Sequence, residues 1–176
     1  MTWTTPKTWG TGDLVTANDL NTHLRDNLSY FKDAITFDVV SVDSNYNSTE
    51  ITSFVDVDSS NVTLTVNTRG KLALVGFELA AYQTNTTQGI CFDITVDGTR
   101  LGTTNRGLVY HQVTDADSFN NPVPVRGMHW LTNLAAGAHT FRLVWRQIEA
   151  SPTNGYIAST ASGGMPVRLW LMEFDI

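Results

Sequence analysis

Ile90-Cys91-Phe92-Asp93-Ile94-Thr95-Val96-Asp97-Gly98 decides the fold. In an extended chain Ile90, Phe92, Ile94 and Val96 fall on one side, and Cys91, Asp93 and Thr95 on the other, which predicts a strand with one face turned to a core. Asp97-Gly98 closes the stretch. A two-residue hairpin turn needs positive φ at its central positions, and Asp-Gly supplies that at little cost, so an antiparallel neighbour must follow. The same period of two extends in both directions. It predicts further strands over 37–42, 52–57, 62–66, 71–82, 100–103, 108–113, 123–134, 140–148 and 167–174. Turn signals divide them at Thr68-Arg69-Gly70, Asn105-Arg106-Gly107, Ala136-Gly137 and Gly163-Gly164. Some ten short strands with no helical pattern after residue 36 predict a mainly β chain, folded as an antiparallel β-sandwich or jelly roll. The connections at 43–51, 83–89, 114–122 and 149–164 are longer and rich in Ser, Thr, Asn and Ala. Loops of that length often carry binding work.

The pattern before Phe37 is different. Residues 16–35 predict one α-helix, with Thr16 as N-cap and Asp19 at the capping-box position, and with Val15 and Leu20 placed as a hydrophobic staple. Leu20, Leu24, Leu28, Phe31 and Ile35 then follow at spacings of four, four, three and four, forming one apolar stripe. Such a stripe can join copies in a short coiled coil or pack on its own sandwich, and two heptads do not separate the two. Residues 1–15 form an extended arm without periodicity. Trp3, Pro6 and Trp9 are its candidate anchoring residues, because exposed tryptophans need a partner that covers them. The expected organisation is therefore an arm and helix over 1–36, serving anchoring or oligomerisation, and a β-sandwich jelly-roll domain over 37–176.

Composition narrows the function. Charged residues are 16% of the 176, below the roughly 25% of ordinary soluble domains. Short hydroxyl and amide side chains supply the polarity, and a surface with few charges to desolvate suits packing against copies of the same chain. The net charge is −6 and the eleven basic residues are scattered, which argues against nucleic-acid partners and anionic membrane surfaces. No apolar run approaches the ~20 residues of a membrane span. Met1-Thr-Trp-Thr-Thr-Pro-Lys7 lacks the basic start and apolar core of a signal peptide, so the chain is expected to fold where it is made. Cys91 is the single cysteine and reads as a small filler, with no internal disulfide to form.

Chemistry finds little purchase. His23, His111, His129 and His139 stand at no metal-ligand spacing. Asp56/Asp58 and Asp115/Asp117 alternate as solvent-facing residues do; the second pair, in a long loop, is the one whose hard oxygens would suit a cation. There is no Gly-x-Ser-x-Gly, phosphate loop or dinucleotide fingerprint. No catalytic residue, no metal and no cofactor are expected. Trp130, Trp145 and Trp170 lie within strands and are expected to pack in a core or subunit interface rather than to stack on sugars.

Trp3-Thr-Thr-Pro-Lys-Thr-Trp9 followed by Thr16-Ala-Asn-Asp-Leu-Asn-Thr-His-Leu-Arg-Asp-Asn-Leu28 resembles a recurring N-terminal module of tailed-phage virion proteins, in which a Trp/Pro arm leads through a helix into a β-rich domain. From residue 50 onward the chain is similar to tumour-necrosis-factor-like jelly rolls, as in phage head-decoration proteins and fibre heads. Gly70-Lys-Leu-Ala-Leu-Val75, Phe92–Gly98, Leu134–Trp145 and Arg168-Leu-Trp-Leu-Met-Glu173 carry that likeness. The resemblance implies a homotrimer on the virion surface without deciding between capsid and tail, and the missing catalytic motifs add the expectation of a non-enzymatic role. It would be anchored through its arm to the major capsid protein or another virion component, as a capsid decoration protein of cementing or head-fibre type. The alternative is a tail-associated module that recognises a host-surface glycan. A chain this short, without a long fibre shaft, favours decoration.

Overall fold

The computed structural model describes residues 4–83, 89–112, 121–148 and 155–174. Asp97 (φ 51°) and Gly98 (φ 83°) form the expected positive-φ turn. It reverses Gly89–Val96 into Thr99–Arg100. In chain order the strands are β1 (Ile35–Val42), β2 (Tyr46–Ser48), β3 (Val55–Asp56), β4 (Thr63–Arg69), β5 (Leu72–Gln83), β6 (Gly89–Val96), β7 (Thr99–Arg100), β8 (Val109–Gln112), β9 (Val123–Leu131), β10 (Ala136–Ile148), β11 (Gly155–Ile157) and β12 (Val167–Phe174). They form two antiparallel sheets: a front sheet of β1, β2, β5, β9, β11 and β12, and a back sheet of β3, β4, β6, β7, β8 and β10.

The pairing defines a jelly roll. β1/β2, β3/β4, β7/β8 and β11/β12 each act as one interrupted strand, because both members of each pair lie along the same edge of a shared neighbour or neighbouring pair. Eight effective strands result, and the first pairs with the eighth, the second with the seventh, the third with the sixth and the fourth with the fifth. That is one long antiparallel hairpin rolled onto itself, which leaves its strands alternating between two stacked sheets. Between the sheets, Val75, Phe77, Leu169 and Leu171 meet Ile90, Phe92, Leu143 and Trp145, all at most 2% exposed. Phe92 sits at the centre, 5.9 Å from the Phe77 ring and 6.2 Å from Trp145.

The helix begins as its cap predicts. The Asp19 N–H donates to Thr16 Oγ1 (3.2 Å), and the Asp19 carboxylate accepts from the Thr16 N–H (3.1 Å) and hydroxyl (2.6 Å). Those bonds hold the Asp19 carboxyl down at about 2. The helix is not uniformly α: α1 (Ala17–Leu20) and α2 (Asp26–Asp33) are joined by a π-helical turn over Asn21–Arg25. It also stops short of Ile35, which corrects the predicted stripe. Ile35 opens β1 and pairs with Phe174, because eight residue pairs along β12 outweigh one more helical turn.

Other boundaries moved for equally local reasons. In the predicted strand 52–57 only Val55–Asp56 pairs, because the Glu50 carboxylate accepts from the Thr52 and Ser53 N–H groups and holds a turn there. Ala136-Gly137 is not a turn but the start of β10, paired with Thr68 and Arg69. β2 and β11 lie in stretches predicted as loops; each has three residues, β11 is held to the end of β5, and β2 is held to β11.

β9 carries a glycine where the core leaves no room. A Cβ on Gly127 would lie 2.4 Å from Phe77 Cε1 and 2.8 Å from Val109 Cγ2. Phe77 is 1% exposed and cannot swing aside. Gly127→Ala is therefore expected to lower stability by about 1–3 kcal/mol through overpacking, read as a shifted urea midpoint with an unchanged slope; an unshifted midpoint would contradict the packing described.

Candidate functional site: an apolar sheet face

In a strand, alternate side chains point to opposite faces, so the outer face of a solvated sheet should be polar. The front sheet breaks that rule. β12 sends Val167, Leu169 and Leu171 inward and Trp170, Met172 and Phe174 outward. β1 adds Ile35, Phe37 and Val39, β5 adds Leu72 and Leu74, and β9 adds Met128 and Trp130. Register sets these in rows: Phe37, Met172, Leu74 and Trp130 across one line, Val39, Trp170, Gly76 and Met128 across the next. Trp170 lies over Gly76, where a Cβ would come within 2.3 Å of its ring, and its ring centroid is 6.2 Å from that of Phe37. Trp130 packs 5.7 Å from Phe174. One row further on the face turns ionic, with Glu78 bridging Arg168 (2.5 Å) and Arg126 (3.4 Å) across three strands. A charged border along an apolar field is the anatomy of a contact surface.

Its size fits that reading. Ile35, Phe37, Val39, Met128 and Trp130 are 46–61% exposed. At roughly 100 Å² for each half-exposed large side chain they offer on the order of 500 Å², near the upper end for the largest patch on a monomer. Leu20, Leu24 and Leu28 of the helical stripe are also 50–60% exposed. They raise the total to about 800 Å², one partner's share of a standard interface.

The arm is tied back at its root. The Thr4 N–H donates to Asn27 Oδ1 (3.0 Å), and Asn27 Nδ2 donates to the Thr4 carbonyl (2.9 Å), with Asn27 only 5% exposed. Lys7 reaches Asp19 (3.3 Å) and covers the Trp9 ring at 4.3 Å, yet Trp9 stays 41% exposed and Pro6 is exposed. Trp3 lies outside the described residues, as does the side chain of Phe31.

The remaining candidates do not gather. Trp145 is core, whereas Trp130 and Trp170 belong to the outer face. Cys91 is fully buried and burial pushes its thiol up, as a filler requires. Among the described residues no three His, Cys, Asp or Glu side chains form a metal site, and no helix is long and apolar enough to cross a membrane. Asp115 and Asp117 lie outside the described residues.

No protein-family model matches the chain, and no curated protein matches it. Among solved structures it is similar to infectious bursal disease virus VP2 in a subviral particle, with 9% identity and a TM-score of 0.45 over 82% of this chain and 38% of that one. It is also similar to the CBM36-1 domain of a multidomain xylanase from the hindgut metagenome of Trinervitermes trinervoides, with 13% identity and a TM-score of 0.37 over 76% and 96%. Latent PorU from Porphyromonas gingivalis matches at 11% identity and a TM-score of 0.40 over 80% and 13%. The chain thus spans under two fifths of the VP2 chain it matches. The jelly-roll description rests on the strand pairing above, not on these likenesses.

His139 has a structural task. Nδ1 lies 2.7 Å from Asp97 Oδ2 and Nε2 lies 3.0 Å from the Ala135 carbonyl. Both partners are acceptors, so both ring nitrogens must carry protons. The Asp97 hydrogen bond raises the His139 pKa, and the Thr140 N–H and His139 together lower that of Asp97. A raised histidine stabilises fully below its unfolded value of about 6.5 and loses that contribution as pH climbs through the higher folded value. A lowered aspartate contributes above about 3.9 and fails only in stronger acid. Wild type should therefore exceed His139→Gln in melting temperature by more at pH 5.5 than at pH 8.5. Equal differences at the two pH values would show that the pair does not form.

Proposed function

We propose that this chain is a structural protein of a tailed-phage particle that sits on the virion surface as a homotrimer and decorates the capsid, cementing it or standing as a short head fibre. The apolar outer face of the front sheet carries this reading. A monomer would leave Phe37, Met128 and Trp130 in water, and a flat apolar sheet face so exposed is an aggregation hazard unless copies close over it. A closed ring of three covers each copy's face with its neighbours. The exposed leucines on the helix extend the same requirement to the chain just before β1. The N-terminal resemblance to phage virion modules supports the particle setting, and the low share of charged residues fits repeated contact between copies. In this reading the arm is the anchor: its root is fixed by Asn27, and Trp9 remains available to the major capsid protein or another virion component.

Light scattering of the purified chain should give a mass near three times 19.4 kDa at micromolar concentration. Trp130→Lys, which puts a charge in the middle of the face, should give a folded species of one-chain mass with the same far-ultraviolet spectrum. A wild-type monomer, or a variant that stays trimeric, would refute assembly through this face. Replacing Trp3 and Trp9 together by Ser should preserve the trimer and abolish attachment to particles, counted as copies per virion. Wild-type occupancy in that variant would show that the anchor lies elsewhere.

A further inference from the structure

The back sheet presents the opposite chemistry on its outer face. Four of the eleven basic residues, Arg100, Arg106, Arg142 and Arg146, converge there in a chain whose net charge is −6. β10 turns Arg142 and Arg146 outward, and Arg100 follows the β6–β7 turn. Arg100, Arg142 and Arg146 line a cleft of about 510 Å³, with Phe54 and hydroxyls including Thr52, Ser53 and Thr95 around it, and Arg106 lies on the turn that supplies Thr104 to its wall. That volume is in the range of small-ligand sites.

The guanidinium groups are held in place rather than left to wave. Arg100 lies 4.2 Å above the Phe54 ring, and its N–H groups donate to the Thr103 (3.3 Å) and Thr104 (3.1 Å) carbonyls. Arg146 shares the Phe54 ring at 5.2 Å and donates to the Asn105 carbonyl. Arg106 lies 4.4 Å over Tyr110 on the adjoining turn. Two charges are neutralised internally, Arg142 by Asp56 (3.2 Å) and Arg100 by Asp93 (3.4 Å). Among the described residues neither Arg146 nor Arg106 has a carboxylate partner, and Arg146 Nε is buried without an acceptor. Like charges fixed side by side repel, and fixed guanidinium forks are matched to carboxylate oxygens.

We infer that this cleft binds an acidic saccharide, whose carboxylate pairs with Arg146 while its hydroxyls meet the Thr and Ser rim. A nucleic-acid strand needs a basic track, and the charge here is confined to one recess. A peptide strand would extend a sheet edge, whereas the cleft lies over a sheet face. The inference does not depend on the trimer, because the apolar face belongs to the other sheet.

The test is calorimetric titration of the full chain with trigalacturonate and with 3′-sialyllactose, alongside neutral maltotriose and inorganic phosphate. At least one acidic saccharide should bind saturably, more weakly as salt rises, while maltotriose does not. Arg146→Gln should weaken binding about tenfold or more, as losing a charge-assisted hydrogen bond does. Asp56→Asn, which frees Arg142, should tighten it, a gain that misfolding cannot mimic. No saturable binding by either acidic saccharide, equal binding of maltotriose, or an unchanged Arg146→Gln in a folded variant would overturn the inference. Phosphate binding as tight as the saccharide's would overturn the saccharide assignment by reducing the cleft to a simple anion site.

Discussion

Strand alternation allows a sheet one buried face for every exposed one, and the pairing of β12 between β1 and β5 turns that rule into the main constraint on this molecule. Val167, Leu169 and Leu171 must face Phe92 and Trp145 for the jelly roll to have a core, so Trp170, Met172 and Phe174 are committed to the outside. A slip of one residue would exchange the two sets, yet both are apolar, so β12 alone does not specify its register. Its neighbours do. Glu78 and Arg168 face each other across β5 and β12, and Gly76 makes room for Trp170 alone. The same side chains that fix the register also bound and fill the face proposed for assembly.

The two sheets divide the labour. The outer face of the front sheet leaves Ile35, Phe37, Val39, Met128 and Trp130 exposed, whereas part of the back sheet is covered by the chain's own turn. The turn between β7 and β8 lies over Cys91 and Asp93, both fully buried. Asp93 accepts from the Ile94 (2.8 Å) and Gly102 (2.9 Å) N–H groups. Burial pushes its carboxyl up, while those donors and Arg100 pull it down. The carboxylate thus serves as an internal acceptor that pins the turn, and the pinned turn presents the Thr103, Thr104 and Asn105 carbonyls to Arg100 and Arg146. The cationic cleft is a by-product of how that sheet closes its outer face.

Much of this was legible in the sequence where the signal was local. Asp97-Gly98 forced its hairpin, Thr16 and Asp19 formed their capping box, and period two located every strand longer than three residues to within a few positions. Ile35 misled because its helical spacing was good, while the competing pull came from Phe174 at the far end of the chain. β2 and β11 carry no pattern of their own; β11 becomes a strand only because β5 offers an edge, and β2 only because β11 does. The apolar face was foreshadowed by the double-sided pattern of 168–172, but its extent needed the register that sets Trp130 beside Leu74. The arginine cleft left no trace in sequence, because its members are spread from Arg100 to Arg146 and are joined only by the back sheet and the Phe54 ring.

The N-terminal region shows how a departure from regularity can be put to use. Spacing alone predicted an unbroken α-helix, which would carry Leu20, Leu24 and Leu28 along a steady stripe. The π-helical turn over Asn21–Arg25 contains Leu24 and rotates Leu28 relative to Leu20, so the stripe bends between its first and last leucines. Asn27 follows that turn and is the one buried polar side chain described in the region. Its amide donates to the His23 carbonyl in the π turn (3.3 Å) and to Thr4, while its oxygen accepts from Thr4. A single side chain therefore couples the helical irregularity to the direction in which the arm leaves. The buried amide thus fixes where the arm leaves the helix, which is what the anchoring proposed above would require of it.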